Sequence, residues 1–378
     1  MKRTILTLLA AAVMTLSASA QNWKMVITKS DGTTMELPTA DIDNITYLET
    51  APETHPDQNV DQVIIKEIYN GGCLTDDGAK YQFDKCIILY NNCGEQAVIN
   101  NLCIGQVSPS NSYANNKNYD EQGNLTYESE GFHPIWQGLW YFPNSLVIAP
   151  YSQVVVNVCG AIDNTQTVSQ SVNYANSDYY TMYDPESGLT NSSYYPTPAS
   201  EIPTSHYLKC KFLALGNAWA YSVNSPATLL FQVQGTDPST WAENADNTWY
   251  DGGTVSAAMI CLKVPTEWIL DGVEVYAAGK MDDNKKRLTA EVDGGYVKMT
   301  NYLGHAVYRN VDKEATEALA ENAGKLVYGY TLGADGDTDP SGIDAEASMK
   351  NGAHIVYLDN NNSSLDFHER QKCSLRGE

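Results

Sequence analysis

Four acidic residues near the carboxyl end of the chain have the spacing of a calcium-binding loop. In the segment DGDTDPSGIDAE, Asp335, Asp337, Asp339 and Glu346 occupy positions 1, 3, 5 and 12 of an EF-type loop. Ca²⁺ prefers oxygen ligands, so acids at alternate positions of a tight loop suit it. Pro340 stands where the EF-type turn requires Gly. We therefore name Ca²⁺ as the candidate cofactor of these residues, with a solvated acidic turn as the alternative.

Aromatic side chains are the second candidate for chemistry. The chain has 25 Tyr and 7 Trp against 6 Phe, and many of them lie in polar stretches. Tyr and Trp rings combine an apolar face with a polar edge, which suits sugar rings and protein partners alike. The alternative is that these rings only pack, since Tyr is also a good strand residue. The candidate ligand-binding residues are Tyr179, Tyr180, Tyr183, Tyr194, Tyr195, Trp136 and Trp140.

The sequence has none of the short motifs that organise common catalytic sites. It lacks HExxH, the GxSxG nucleophile elbow and a Gly-rich phosphate loop ending in Gly-Lys. The six histidines are scattered, and none is spaced i, i+4 with an acid. We therefore predict that the protein is not an enzyme. The alternative is a carbohydrate-active hydrolase, which would need two carboxylates in a cleft.

Charge and the first residues restrict partners and location. The formal net charge of -23 opposes binding to nucleic acid and to anionic membranes. The start, MKRTILTLLAAAVMTLSASA, has a basic region, an apolar stretch and a small-residue cleavage pattern before Gln21. This predicts a signal peptide over residues 1–20, with a membrane anchor as the alternative. No later apolar run is long enough to span a membrane, so we expect an exported protein of the periplasm, outer-membrane surface or extracellular space.

The elements that must position the candidate residues form a chain of β-structure. Residues 21–50 predict a small β module, with a hairpin about Ser30-Asp31-Gly32, and the polar residues 51–62 predict a linker. Residues 63–378 then form one domain, with long insertions at about 108–145 and 161–206. Within it, 63–107 reads as three apolar runs separated by Gly- and Asn-rich breakers, as expected for antiparallel strands.

Two motifs in this region resemble a known family. The IKEIYNGG of residues 65–72 and the CIILYNN of residues 86–92 are similar to the paired strand motifs of lamin-tail domains, and LVIAPYSQVVVNV at 146–158 resembles the end of that domain. Ile88 departs from the pattern, which usually has an acid there. The resemblance covers about residues 63–160. It implies an all-β fold, an immunoglobulin-like antiparallel β-sandwich.

A longer resemblance covers roughly residues 60–378. The segments DYYTMYDPESG, WILDGVEVYAAG, YRNVDKEATEA and DPSGIDAEAS are similar to a Bacteroidetes family of secreted proteins known only as a domain of unknown function. The resemblance implies an envelope or surface protein, in some members linked to outer-membrane nutrient uptake. It carries over no catalytic residue.

Further local patterns give predictions that the structure tests. Asp312 as the N-cap and Gly324 as the terminating residue predict a surface helix over 312–324. Residues 287–292 and 296–301 flank Asp293-Gly294-Gly295 and predict a hairpin, and 325–332 and 354–359 predict the last strands. The eight cysteines lie mostly in apolar runs, which favours buried thiols. One bridge among Cys73, Cys86, Cys93 and Cys103 remains open because export permits disulfides.

Together these patterns predict non-catalytic recognition of a glycan, protein or nutrient ligand through aromatic-rich loops on a β-sandwich. A structural or assembly partner of an outer-membrane uptake complex is the first alternative. It predicts that the Tyr-rich loops pack against the body of the protein and leave no concave pocket. The hydrolase is the second alternative.

Overall fold

The computed structural model describes residues 23–28, 33–44 and 55–376. The chain divides into two compact units, Met1–Ala51 and Pro52–Glu378. The predicted signal peptide, the Ser-Asp-Gly turn, residues 45–50 of the predicted β module and residues 51–54 of the predicted linker lie outside the described residues.

The first unit contains an antiparallel strand pair. Strand β1 (Lys24–Thr28) pairs with β2 (Thr34–Pro38), with Lys24 opposite Pro38 and Thr28 opposite Thr34. In the sequence, these two strands precede and follow the predicted Ser-Asp-Gly turn. Lys24 Nζ lies 2.8 Å from a carboxylate oxygen of Glu36 on the solvent-exposed surface of the pair.

The second unit is built mostly of short strands. In chain order they are β3 (Val63–Tyr69), β4 (Cys73–Leu74), β5 (Lys80–Tyr81), β6 (Lys85–Asn91), β7 (Ala97–Ile99), β8 (Leu102–Gln106), β9 (Phe132–Trp136), β10 (Gly138–Tyr141), β11 (Leu146–Ile148), β12 (Gln153–Cys159), β13 (Tyr180–Thr181), β14 (Lys209–Phe212), β15 (Ala227–Gln232), β16 (Thr248–Tyr250), β17 (Ile260–Pro265), β18 (Ile269–Ala277), β19 (Val297–Met299), β20 (Ala306–Arg309) and β21 (Phe367–Arg370).

Two six-stranded sheets organise this unit. Sheet A has the order β14-β10-β8-β15-β18-β19, and sheet B has the order β13-β12-β6-β3-β20-β21. Each sheet is antiparallel except at one edge, where β18 pairs with β19 in sheet A and β12 with β13 in sheet B in parallel. A three-stranded sheet, β16-β17-β9, and the pairs β11-β7 and β4-β5 complete the arrangement. The protein is therefore mostly β, as its alternating apolar runs predict.

The largest hydrophobic core draws side chains from both large sheets. Ile65 and Ile87 of sheet B belong to the same buried cluster as Ile104 and Val275 of sheet A. In β3 the register shifts between Ile65 and Glu67. This bulge adds one residue, so Ile65 and Ile68 both reach the core although they are three positions apart.

The opposite face of sheet B is covered as well. Ile64, Tyr90 and Tyr308 pack with Ile343 and Ile355 from the last third of the chain. Farther along the same strands, Cys86 and Ile88 pack with Tyr174 and Cys373. Because both faces are covered, every residue of β3 and β6 is buried, including the charged residues Lys66 and Glu67 of β3.

A buried ion pair joins the two sheets. The Arg309 guanidinium on β20 contacts the carboxylate of Asp271 on β18, and that carboxylate also accepts the Ile65 amide of β3 at 2.6 Å. Burial raises the pKa of Asp271, and although Arg309 opposes that effect the pKa remains at about 6. Removing either partner would leave a buried charge unpaired, which is strongly destabilising.

Helices are few and short among the described residues. They are α1 (Pro238–Glu243), α2 (Lys313–Ala318), α3 (Ala345–Lys350) and α4 (Ser363–Asp366). Single 3₁₀ turns lie at Thr39–Asp41, Val60–Gln62, Glu128–Glu130, Asn164–Gln166, Thr204–His206, Ala245–Asn247, Asp251–Gly253, Thr266–Trp268, Ala278–Lys280 and Ala320–Asn322. None of the helices within the described ranges is long and apolar enough to cross a membrane.

The helix predicted over residues 312–324 covers only Lys313–Ala318 in the structure. Asp312 caps it as predicted, with a side-chain oxygen accepting the Ala315 amide at 2.9 Å. The helix ends at Ala318 because Leu319 is extended, and a 3₁₀ turn follows.

The predicted hairpin over 287–301 is wrong. Residues 287–292 form no strand, and Val297–Met299 pairs in parallel with β18. The reason is Arg287, which is fully buried and bonds backbone carbonyls of the segment 109–111. Strands predicted at 325–332 and 354–359 are also absent, and those segments make only isolated bridges, Tyr328 with Ile343 and Tyr357 with Val311.

Candidate functional site

The acidic loop directs its carboxylates to separate protein partners. Asp337 accepts the Glu369 amide at 3.0 Å. Asp339 is buried and accepts the amides of Val311 at 2.9 Å and Ser341 at 2.8 Å. These bonds fasten the loop to strand β21 and to the start of α2.

Glu346 lies on α3 and faces sheet B. Its carboxylate accepts bonds from Lys66 Nζ at 2.6 Å and from the Tyr308 hydroxyl at 2.7 Å. Burial raises the pKa of Glu346, but Lys66 and Tyr308 outweigh that effect and hold the pKa below its usual value. Across the described part of the chain, no group of three or more His, Cys, Asp or Glu residues could hold a metal ion. Asp335, Asp337, Asp339 and Glu346 therefore do not form such a group among the described residues, and Ca²⁺ binding there stays a prediction.

The Tyr-rich segment packs against the body of the protein. Tyr195 is buried, and its hydroxyl donates to the Trp219 carbonyl at 3.0 Å and accepts the Trp219 amide at 3.1 Å. Trp140 is completely buried, with its ring centroid 5.7 Å from that of Tyr195. Both residues belong to the main core rather than to an open surface.

The remaining tyrosines of this segment are half-buried. Tyr180, Tyr183 and Tyr194 pack against the main core, and Tyr179 packs against the cluster around Cys86. Tyr180 also stacks on His206, with centroids 4.1 Å apart and planes inclined by 14°. Their rings are therefore engaged within the protein.

Trp136, in contrast, borders a pocket. The pocket has a volume of about 410 Å³. A second pocket, of about 540 Å³, shares Pro109, Tyr113, Asp251 and Met259 with the first, so the two adjoin. We call this combined depression the groove. Its lining residues are Gln106, Val107, Ser108, Pro109, Ser110, Tyr113, Asn115, Asn116, Lys117, Trp136, Gln137, Ala220, Ser222, Asp251, Gly252, Thr254, Ala258 and Met259.

The bend between β9 and β10 fixes the tryptophan. Gln137 has φ of 62° and Gly138 has φ of 138°, so the chain turns sharply after Trp136. A Cβ at position 138 would lie 2.0 Å from the Lys211 carbonyl oxygen, so only glycine fits there. Trp136 Nε1 donates to the Ala258 carbonyl at 3.1 Å, which orients the ring at the rim of the groove.

The wall that carries Tyr113 is held from beneath by Arg287. The Arg287 guanidinium donates to the carbonyls of Pro109 at 2.8 Å, Ser110 at 3.1 Å and Asn111 at 3.3 Å. This buried side chain lies within a network of backbone carbonyls, and burial lowers its pKa. Tyr113 itself is 50% exposed. A rigid backbone therefore presents an open aromatic ring.

Glu274 completes this support. It is fully buried, pairs with Lys286, and accepts the backbone amides of Arg287 and of Leu288, the latter at 3.4 Å. Burial raises the pKa of Glu274 to about 7, with Lys286 acting in the opposite direction. The groove wall thus rests on buried charges, whereas the Tyr-rich segment rests on apolar packing.

The polar groups of the groove divide into two sets. Asp251 is engaged internally, because its oxygens accept bonds from Ser108 at 2.9 Å and Asn118 at 2.8 Å. Gln106 is engaged by the Ala220 carbonyl at 2.7 Å and by the Ser222 amide at 3.0 Å. Asn116 Nδ2, in contrast, is buried at the groove without a hydrogen-bond partner among the described residues.

One residue of the groove, Trp136, is also a candidate from the sequence, whereas its other lining residues are not. Trp136 is a predicted ligand-binding residue and lines the groove. Tyr113 lies in the Asn- and Tyr-rich segment predicted as an insertion, so its composition was the available signal. Asp251 and Met259 carry no local signal, since only the tertiary fold brings them to Trp136.

These features define the class of protein: a mostly β chain with two large sheets and an open aromatic groove. The model of the family described as "Protein of unknown function (DUF4876)" matches residues 149–374, and the chain belongs to this family. This confirms the predicted membership in a family of unknown function.

One solved structure shares the fold. It is the crystal structure of a DUF4876 family protein from Bacteroides thetaiotaomicron VPI-5482. The two chains are 18% identical with a TM-score of 0.56, over 82% of this chain and 70% of the other. At this identity the likeness concerns the fold alone. Comparison with curated proteins gives no match.

Proposed function

We propose that this protein recognises a neutral saccharide in the groove without transforming it. The observation that carries the proposal is the placement of Trp136 and Tyr113 beside amide and hydroxyl groups of one concave surface. Aromatic rings stack on the apolar faces of sugar rings, while amides and hydroxyls bond their hydroxyl groups. The groove offers both kinds of contact.

Charge supports a neutral ligand. Although the chain has a net charge of -23, the described residues that line the groove include one acid, Asp251, and one base, Lys117. A strongly charged ligand would need compensating charges at its site. Neutral hydrogen-bonding side chains of the lining, such as Ser110, Asn115 and Thr254, instead match sugar hydroxyls.

The size of the groove supports a ligand of more than one sugar ring. Its two adjoining parts measure about 410 and 540 Å³, within the range typical of small-molecule sites. Trp136 lines the first part and Asn116 lines the second, while Tyr113 lines both. An oligosaccharide lying along the groove would stack on the rings of Trp136 and Tyr113 and extend toward the part of the groove lined by Asn116.

The lining also favours binding over hydrolysis. A glycosidase needs a pair of carboxylates, one on each side of the scissile bond. Asp251 is the only acid among the described residues of the groove, and both of its oxygens accept internal bonds. Its role in the proposal is to hold Ser108 and Asn118 in place.

For the scaffold, we propose a lamin-tail-like, immunoglobulin-like sandwich of sheets A and B. The two motifs that carry the resemblance fall on β3 and β6, which are adjacent at the centre of sheet B. A single core draws on both sheets. The signal-like segment at 1–20 adds the proposal that the protein acts at the cell envelope after export.

The test is calorimetric titration with a panel of neutral oligosaccharides. We expect at least one to bind the wild type, and Trp136→Ala to weaken that binding at least about tenfold, since aromatic anchors dominate such interfaces. Tyr328→Ala is the matched control, because Tyr328 is 55% exposed and lies outside the groove. Equal binding by wild type and Trp136→Ala would refute the assignment of the groove.

A structural or assembly role is the second candidate. The observation in its favour is the packing of Tyr179, Tyr180, Tyr183, Tyr194 and Tyr195 against the body, which that hypothesis requires. It predicts that no saccharide binds and that an envelope protein co-purifies with the exported chain. The groove, which this hypothesis does not require, is the reason for ranking it second.

A further inference from the structure

Two cysteines from opposite ends of the large unit face each other in a buried apolar cluster. The Sγ atoms of Cys86 and Cys373 are 3.9 Å apart, and both side chains are fully buried. The residues are separated by 287 positions in the sequence. Their surroundings include Tyr69, Ile88 and Tyr174.

Four of the other six cysteines have sulfur contacts with backbone carbonyls. The Sγ of Cys93 lies 3.4 Å from the Glu95 carbonyl, that of Cys103 lies 3.3 Å from the Asn101 carbonyl, and that of Cys159 lies 3.1 Å from the Phe83 carbonyl. Cys261 contacts the Met259 carbonyl at 3.6 Å. These thiols act as weak donors to the backbone, whereas Cys86 and Cys373 contact one another.

The backbone holds this pair in place from both sides. Cys86 lies on β6, an inner strand of sheet B, and Cys373 follows β21 at its edge. The Cys373 amide donates to the Gly304 carbonyl at 3.1 Å, and the next amide, that of Ser374, donates to buried Glu67 at 2.9 Å. The carboxyl-terminal segment thereby lies across the face of the sheet that carries Cys86.

We propose that Cys86 and Cys373 form an intramolecular disulfide that fastens the carboxyl-terminal segment to sheet B. A disulfide has an S–S length of about 2.0 Å, so the sulfurs must approach by about 2 Å, which requires side-chain adjustment. The inference does not depend on the groove or its ligand.

The oxidant is a small-molecule or protein disulfide. The Cys373 thiolate attacks one sulfur of that disulfide, giving a mixed disulfide and releasing one thiolate. Cys86, after losing its proton, displaces the second thiolate and forms the Cys86–Cys373 bond. Two thiols lose two electrons and two protons in total, and the disulfide oxidant is reduced to two thiols.

Burial sets when this exchange occurs. Thiolate is the reactive form, and burial raises the pKa of both thiols in the folded protein. The exchange therefore takes place while the carboxyl-terminal segment is undocked, during folding or a local opening. Once formed, the disulfide closes a loop that contains nearly the whole second unit. It thereby reduces the number of conformations open to the unfolded chain.

The test begins with wild-type protein refolded in oxidised and reduced glutathione. The protein is then alkylated in denaturant without reductant and digested. We expect two of the eight cysteines to escape alkylation, leaving six modified, and a linked peptide pair containing Cys86 and Cys373. Eight alkylated cysteines, or a linkage between other cysteines, would overturn the proposal.

Melting temperatures with and without reductant provide the second readout. We expect reduction to lower the melting temperature of the oxidised wild type by roughly 5 °C. Cys373→Ala should lose this reductant-dependent shift, whereas Cys103→Ala, a buried cysteine outside the pair, should keep it. A shift retained in Cys373→Ala would contradict the linkage. If a variant fails to fold, peptide mapping of the wild type still decides.

Discussion

The Tyr-rich segment and the groove contain the same kinds of side chain but use them differently. The segment from Tyr179 to Tyr195 has more aromatic residues, yet its rings lie against the core. The groove has only Trp136 and Tyr113, but both border open space. The number of aromatic residues in a polar loop therefore does not indicate how exposed their rings are. What matters is whether the tertiary fold leaves room beside the ring.

Trp136 and Trp140 allow the sharpest test, since they are four positions apart in sequence. Trp140→Ala removes a completely buried ring, and we expect a loss of about 4 kcal/mol in the free energy of unfolding. Trp136→Ala, at the rim of the groove, should cost less, about 2 kcal/mol, because the Trp136 ring is only partly buried and loses a single side-chain hydrogen bond. Urea titrations measure both. Equal losses would remove the distinction between the two regions.

Glu274 provides a pH test of the support beneath the groove. Its folded pKa of about 7 lies above its ordinary value of 4.5, so the folded state binds the proton more tightly. The resulting stabilisation of the folded state is complete below pH 4.5, the pKa of Glu274 in the unfolded chain, and is lost as the pH rises through about 7. The shift corresponds to about 3 kcal/mol.

We therefore expect Glu274→Gln to lack this fall in stability between pH 4.5 and 7, as measured by urea unfolding at several pH values. Glu267→Gln, on the exposed turn before β18, is the matched control and should keep the wild-type profile. Parallel profiles for wild type and Glu274→Gln would contradict the assigned origin of the shift.

Tyr195 tests the packing of the Tyr-rich segment with a smaller change. Tyr195→Phe keeps the ring but removes the hydroxyl that bonds both the carbonyl and the amide of Trp219. Two buried backbone groups then lose a partner, and we expect a loss of about 2 kcal/mol in unfolding free energy. Saccharide affinity should stay unchanged. A loss of affinity without a loss of stability would assign Tyr195 to recognition instead.

The smallest effect on stability is expected at Tyr113. Because this ring is 50% exposed, Tyr113→Ala should change the unfolding free energy by less than about 0.5 kcal/mol. Under the proposed function it should nevertheless weaken binding of the same saccharide that Trp136→Ala weakens. Calorimetric titration of the two variants side by side checks this, and undiminished affinity in Tyr113→Ala would restrict the site to the part of the groove near Trp136.

The acidic loop shows that spacing suited to a metal ion also suits hydrogen bonding within the protein, and Ca²⁺ binding there stays a prediction. Asp337 and Asp339 have metal-like spacing, but their oxygens serve as acceptors for the amides of Glu369, Val311 and Ser341. Glu346 instead pairs with Lys66. Because Lys66 lies 280 positions earlier in the chain, the sequence around Glu346 does not indicate this pairing. The same carboxylate chemistry that suits calcium also suits backbone amides, and the spacing alone does not separate the two.

Local sequence patterns were enough to predict the β-rich class, the strands within 63–107, the Asp312 cap and the family. Each depends on local patterns, since apolar runs between Gly- and Asn-rich breakers form strands and an Asp side chain caps a helix within one turn. The folded structure was needed to show which aromatic side chains are exposed, that Arg287 is a buried hydrogen-bond donor rather than part of a hairpin strand, and that Cys86 contacts Cys373. These outcomes depend on contacts between residues far apart in the sequence, from 24 positions for Tyr195 with Trp219 to 178 for Arg287 with Pro109. No local pattern encodes which distant group fills a given space or leaves it open.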